Sequence, residues 1–132
     1  MQEHDIAALA YHHSALLQTL DILTALQLDL LNFGVIHFNG QYLVERYNRY
    51  EQVHTGLTPE KVLGKHVFTH VAQCMNNFMV ARRVEDALTT GATLDTEMDY
   101  VLTWRMKPTP VRMRILAAPG PSRGYVVIQR RE

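Results

Sequence analysis

Cys74 is the sole cysteine of the chain, and Tyr47, Glu51 and Thr55 precede it at i, i+4 and i+8. A buried phenol and a buried carboxyl facing one nucleophilic thiol can cradle a covalently attached, ionisable aromatic ligand. A thiol joined to an activated aromatic acid forms a thioester, and a phenol on such a ligand can ionise to a phenolate. Burying that phenolate is costly unless hydrogen bonds satisfy it. Tyr47 and Glu51 supply them provided that Glu51 is protonated, as desolvation beside an anion favours. Each residue also has a plainer role. A lone Cys often fills a core, Tyr47 can hold its hydroxyl in water, and Thr55 can cap a turn. Glu51 can lie on a solvated helix beside Arg46, Arg49 or Lys61.

Composition narrows the classes. With 132 residues, 47% of them hydrophobic, the chain is one domain with a proper core. Thirteen basic residues balance thirteen acidic ones, so no long-range field attracts nucleic acid. The basic end at Arg130-Arg131 reads as a solvated terminus. One cysteine makes no internal disulfide, which fits a reduced, cytoplasmic compartment. The acidic start, Met1-Gln2-Glu3-His4-Asp5, predicts no secretory signal. Gln18, Asp21, Gln27 and Asp29 interrupt the apolar stretch from Ala15 to Phe33, so no membrane span is expected there.

The elements that must position these groups follow from pattern. Leu16, Leu17, Leu20, Leu23, Ala25, Leu26 and Leu30 make an apolar helical stripe, with Asp21 a candidate cap for a second helix. The stripe serves either to cover a sheet or to pair two subunits as a homodimer through the N-terminal helices. Gly34 to Phe38 reads as a strand, Asn39-Gly40 as a type I′ turn, and Tyr42 to Asn48 as the returning strand. Asn48 to His54 predicts a short helix. Thr58-Pro59 opens another, which Gly64 ends. Phe78 to Leu88 predicts a longer helix with Phe78, Ala81, Val84, Ala87 and Leu88 on one face, closed by Gly91. Strands are expected over Asp95 to Met106, Val111 to Ala117 and Gly124 to Gln129. The order is α+β: residues 1–31 form an N-terminal helical cap, and residues 32–132 form a central antiparallel sheet with flanking helices, as in PAS sensor domains.

From about Phe33 to Val127 the chain resembles the photoactive yellow protein family, blue-light receptors of PAS-type fold. Phe33-Gly34-Val35-Ile36 is similar to the family's first strand. Tyr47-Asn48, Glu51 and Thr55-Gly56 match its chromophore-holding phenol, carboxyl and hydroxyl. Val62 to Phe68 resembles the next segment, and Val71-Ala72-Gln73-Cys74 the attachment loop, with Gln73 where proline is usual. With one residue inserted near Ala92, Gly91, Tyr100, Met106, Pro108 and Thr109 also fall at family-like positions. Leu57 replaces an arginine that covers the ring, Val67 and Leu102 replace aromatics beside it, and Trp104 replaces a tyrosine.

The resemblance implies p-coumaric acid (4-hydroxycinnamic acid) held as a thioester on Cys74. Tyr47 and Glu51 take its phenolate end, Thr55 orients Tyr47, and Val67, Leu102 and Met106 lie near the ring. Light isomerises the double bond, Glu51 gives up its proton, and the new buried charge loosens the domain for an unnamed signalling partner. The chain is then a sensor and not an enzyme. Two other readings follow from the same residues. One is a chromophore-free PAS domain for dimerisation or non-covalent aromatic binding. The other is a small thiol-dependent acyl-transfer or hydrolase protein with His66 or His70 as base. His66, His70 and Cys74, four apart, also suggest a metal site, but the intervening Val67-Phe68 and Val71-Ala72 seek a core.

Overall fold

The computed structural model describes residues 2–103 and 107–130. Five strands form one antiparallel sheet in the order β2-β1-β5-β4-β3: β1 Gly34–Asn39, β2 Val44–Tyr47, β3 Leu94–Leu102, β4 Thr109–Ala118 and β5 Arg123–Arg130. The last strand lies at the centre, paired with β1 and β4. Its residues from Gly124 to Ile128 are buried, as a strand covered on both faces requires. Side chains alternate between two cores. Ile36, Phe38, Met113, Ile115, Val126 and Ile128 face one cluster. Val35, Leu116, Tyr125 and Val127 face the other.

The second core belongs to the N-terminal cap: α1 Glu3–Ala7, α2 Leu16–Ile22 and α3 Ala25–Leu28. Leu16, Leu20 and Leu23 are buried against the back of the sheet, so these members of the stripe cover the sheet within the chain. Ile22 and Leu26 point outward, at 73% and 81% exposure. Asp21 lies inside α2 and caps nothing. The second helix starts instead at Thr24, whose side chain accepts from Gln27 N–H while Gln27 returns a bond to the Thr24 N–H. This reciprocal box satisfies two otherwise orphaned donors.

Asp21 is spent on fastening the cap. It accepts from Arg123 and from the Tyr125 hydroxyl. Arg46 of β2 reaches across the sheet edge to the carbonyls of Leu20 and Leu23 at the end of α2, to Tyr125, and to Nδ1 of His37. His37 stacks on Tyr125 with ring centroids 4.6 Å apart. Burial, then the Arg46 charge, lowers the His37 pKa from 6.5 to about 4. On acidification the unfolded chain takes this proton first. The stability that neutral His37 contributes is therefore complete above about pH 6.5 and lost as the pH falls towards about 4. Thermal unfolding midpoints across that window should fall more steeply for the wild type than for His37→Gln. Equal slopes would count against the latch.

Three local expectations are corrected. The β1–β2 connection is not a two-residue type I′ turn: the positive φ falls on Tyr42, at 66°, and not on Asn39 or Gly40. The Asn39 carboxamide accepts from the backbone of Gln41 and Leu43, a side-chain alternative to the tight turn. The long helix spans Ala81–Thr90, starting after the expected Phe78. Asn77 Oδ1 accepts from the N–H groups of Met79 and Val80 there, and Phe78 is 80% exposed. Finally, β3 runs over Leu94–Leu102. Trp104 and Met106, expected beside the ligand ring or at family-like positions, lie outside the described residues. Among those residues, no helix is long and apolar enough to cross a membrane.

Candidate functional site

Between β2 and the sheet's front face, α4 (Arg49–Thr55) packs on β1. Asn48 is its N-cap and is fully enclosed, at 1% exposure. Its Oδ1 accepts from the N–H groups of Val35 and Glu51. Its amide donates to the carbonyls of Leu28 and Phe33. One buried side chain thus joins α4, β1 and the end of the cap. Gly56 at φ 75° ends the helix, the left-handed position that favours glycine.

This helix sets Glu51 directly over Gly34. A Cβ at position 34 would lie 1.9 Å from Glu51 Oε1, so only glycine lets the carboxyl approach the strand. Glu51 is 1% exposed, which rules out the solvated reading, and it pairs with none of Arg46, Arg49 or Lys61. Its carboxylate instead takes the guanidinium of Arg130 at the end of β5. That residue is not part of a solvated basic terminus. Strand alternation carries the missing signal, because Ile128 and Arg130 share a face of β5 and Ile128 is core.

Tyr47 is buried and its hydroxyl lies 2.7 Å from Thr55 Oγ1; either oxygen can donate. Thr55 also reaches the Glu51 carbonyl. With the one Thr55 hydroxyl proton given to the Glu51 carbonyl, the Tyr47 hydroxyl donates to Thr55 Oγ1. Burial raises the Tyr47 pKa well above the ordinary phenol value and the Glu51 charge adds to this, against the Thr55 bond and the Arg130 charge. Tyr47 is therefore a neutral donor.

Cys74 enters from the opposite side. A π-helical turn, Val67–Val71, is followed by a 3₁₀ turn, Gln73–Met75. His66 Nδ1 accepts from the N–H groups of Phe68 and Thr69, so its ring caps the π turn instead of facing Cys74. Among the described residues no group of three His, Cys, Asp or Glu is placed to hold a metal. The Cys74 carbonyl accepts from the Tyr100 hydroxyl and the Asn77 amide, which are themselves bonded at 2.7 Å. Tyr100 and Asn77 thus hold the loop, and the thiol is half-buried.

Cys74, Tyr47, Glu51 and Thr55 line one cavity of about 660 Å³, together with Leu102 and Arg130. Leu57 also stands on its wall. Val67 does not: it is fully buried in the front core. Its backbone N–H bonds to the Tyr42 carbonyl. The donor set fits a phenol-bearing acyl group, with a thiol on one wall, hydroxyl and carboxyl on another, and apolar Leu102 and Ile128 between them.

The same fold and sequence pattern recur in known proteins. The photoactive yellow protein domain of the sensor histidine kinase Ppr from Rhodospirillum centenum superposes with a TM-score of 0.77 at 34% identity, covering 86% of this chain and 98% of that one. The PAS domain of an HTR-like protein from Haloarcula marismortui, at 13% identity and a TM-score of 0.59 over 86% of this chain and 98% of that one, shares the fold. No protein-family model matches the sequence. Photoactive yellow protein of Rhodothalassium salexigens is 28% identical over 79% of this chain and 82% of its own length. That of Halochromatium salexigens is 31% identical over 78% of this chain and 82% of its own length. Sequence and fold together show that the chain belongs to the photoactive yellow protein family.

Proposed function

We propose that the chain is a blue-light photoreceptor carrying p-coumaric acid as a thioester on Cys74. The observation that carries this reading is the single cavity whose wall brings Cys74 together with Tyr47, Glu51 and Thr55. In loading, the Cys74 thiolate attacks the activated carbonyl of the acid. The sulfur–carbon bond forms, the activating group leaves with its electron pair, and the thiol proton passes to solvent. Tyr47 and Glu51 hold the ring oxygen, and Thr55 orients Tyr47. Leu102 packs beside the ring, and Leu57 makes the cavity entrance apolar. The bound group supplies a light-isomerisable double bond.

Isomerisation of that bond would disturb the hydrogen bonds that Tyr47 and Glu51 offer the ring oxygen. Asn48 couples that change outward, since the side chain that accepts from Glu51 N–H also holds Leu28 and Phe33 beside the cap. A charge change at one carboxyl thereby reaches a whole layer of the fold.

Incubating the protein with activated p-coumaric acid should raise its intact mass by one acyl group, the acid less water. Cys74→Ser should fold normally, by circular dichroism, and gain nothing stable to denaturation. A serine variant with the same stable adduct, or a wild type that never gains one, overturns this reading.

A further inference from the structure

The two outer strands of the sheet are finished differently. Along β2 the segment 64–67 supplies backbone partners: Val44 N–H donates to the Lys65 carbonyl, Gly64 N–H to the Val44 carbonyl, and Val67 N–H to the Tyr42 carbonyl. Among the described residues β3 has β4 as its one strand neighbour, and no backbone bond joins its other edge to any segment. A nine-residue outer strand in that state offers a row of N–H and C=O groups to an incoming chain. Arg83 of the long helix closes over Thr96, so the open stretch runs from Glu97 to Val101. A cleft of about 630 Å³ follows it, lined by Met79, Asp99, Tyr100, Val101 and Arg112. Met79 and Val101 are 46% and 49% exposed. The faces of the strand differ in charge. Met98 and Tyr100 pack towards the front core, while Asp95, Glu97 and Asp99 alternate with them on the back. There Arg114 pairs with Asp95, and Arg112 with Glu97 and Asp99. Three carboxylates share two guanidiniums, and the side chain of Asp99 is 86% exposed.

We propose that the free edge of β3, from Glu97 to Val101, docks an extended segment of a partner protein that alternates basic and apolar residues. Laid beside β3 as a further strand, the segment completes the backbone bonds of the edge. Its basic side chains fall on the back, next to Glu97 and Asp99, and its apolar ones on the front, against Met79 and Tyr100. A second copy of the chain fits worse. Two β3 edges paired antiparallel set the acidic row against itself, and like charges directly opposite are destabilising. The surface also adjoins the Cys74 loop. Tyr100 and Asn77, whose side chain accepts from the Met79 N–H, hold the Cys74 carbonyl, so an occupant of the edge touches the residues that fix the loop. The inference stands apart from the pigment reading, and unloaded protein tests it.

The probes are three short peptides, capped at both ends. One alternates lysine and valine, one alternates glutamate and valine, and the third is the lysine peptide with its backbone amides N-methylated, which keeps the charge but cannot pair. Nuclear magnetic resonance of isotope-labelled wild type should show the amide signals of residues 97–101 shifting saturably with the lysine peptide, and their hydrogen exchange slowing. The glutamate peptide should bind about tenfold more weakly, and the methylated one should not bind. Asp99→Lys changes an exposed side chain and should fold normally, by circular dichroism. It should weaken the lysine peptide roughly fivefold. The wild-type titrations decide the matter even if that variant fails to fold. Absence of saturable binding, shifts centred away from β3, or equal binding of the glutamate or methylated peptide overturns the inference. Shifts at residues 97–101 that follow protein concentration without peptide assign the edge to a second copy and overturn it as well.

Discussion

Replacing Gly34 by alanine should push Glu51 off the sheet and cost about 3 kcal/mol of stability, despite alanine's better strand propensity. The propensity term favours alanine by only about 0.5–1 kcal/mol. Against it stands a Cβ that would lie 1.9 Å from Glu51 Oε1 and 2.6 Å from its Cδ. Overpacking alone costs about 1–3 kcal/mol. Separating a buried ion pair whose members stay buried costs about 3–5 kcal/mol more if the pair breaks outright. Relaxation of α4 recovers part of this, which sets the expected net near 3 kcal/mol. Urea unfolding of the two proteins measures it. In a Glu51→Ala background the clash has no partner, so the added cost of Gly34→Ala should nearly vanish. A Gly34→Ala protein as stable as the wild type would show that Glu51 does not sit where the fold places it.

That contact illustrates what was legible in the sequence and what was not. The spacing of Tyr47, Glu51 and Thr55 depends on a short helix started by Asn48, and local pattern alone predicts that helix. The apolar runs of β4 and β5 and the turn glycines Gly64 and Gly91 are local in the same sense. The partner of Glu51 is not. Arg130 lies 79 residues away along the chain and meets Glu51 only because β5 inserts between β1 and β4. Nearest-neighbour reasoning instead offered Arg46, Arg49 and Lys61, of which Arg46 is committed to the cap. Asp21 misled for a related reason. Its residue type suits a helix cap, but its contacts with Arg123 and Tyr125 span more than a hundred residues. The turn at Asn39-Gly40 failed more locally, because the Asn39 side chain satisfied the backbone in another way.

The proposed covalent pigment requires both ends of its ligand to be held while its centre turns. Tyr100 and Asn77 fix the Cys74 carbonyl at one end. Tyr47, bonded to Thr55, and Glu51, paired with Arg130 above Gly34, would receive the other. Isomerisation between two fixed ends must break the bonds at one of them, and Tyr47 and Glu51 make the non-covalent set. The change should be large in absorbance, because it alters hydrogen bonding at the ring oxygen. It should also be reversible, because the protein frame survives it. The direct test is illumination of the loaded wild type within its own absorption band, followed by a dark interval. The account predicts that the band bleaches, that a shifted band replaces it, and that the original returns in the dark with the intact mass unchanged. A loaded protein whose spectrum is indifferent to light, or whose bleached band never returns, contradicts it.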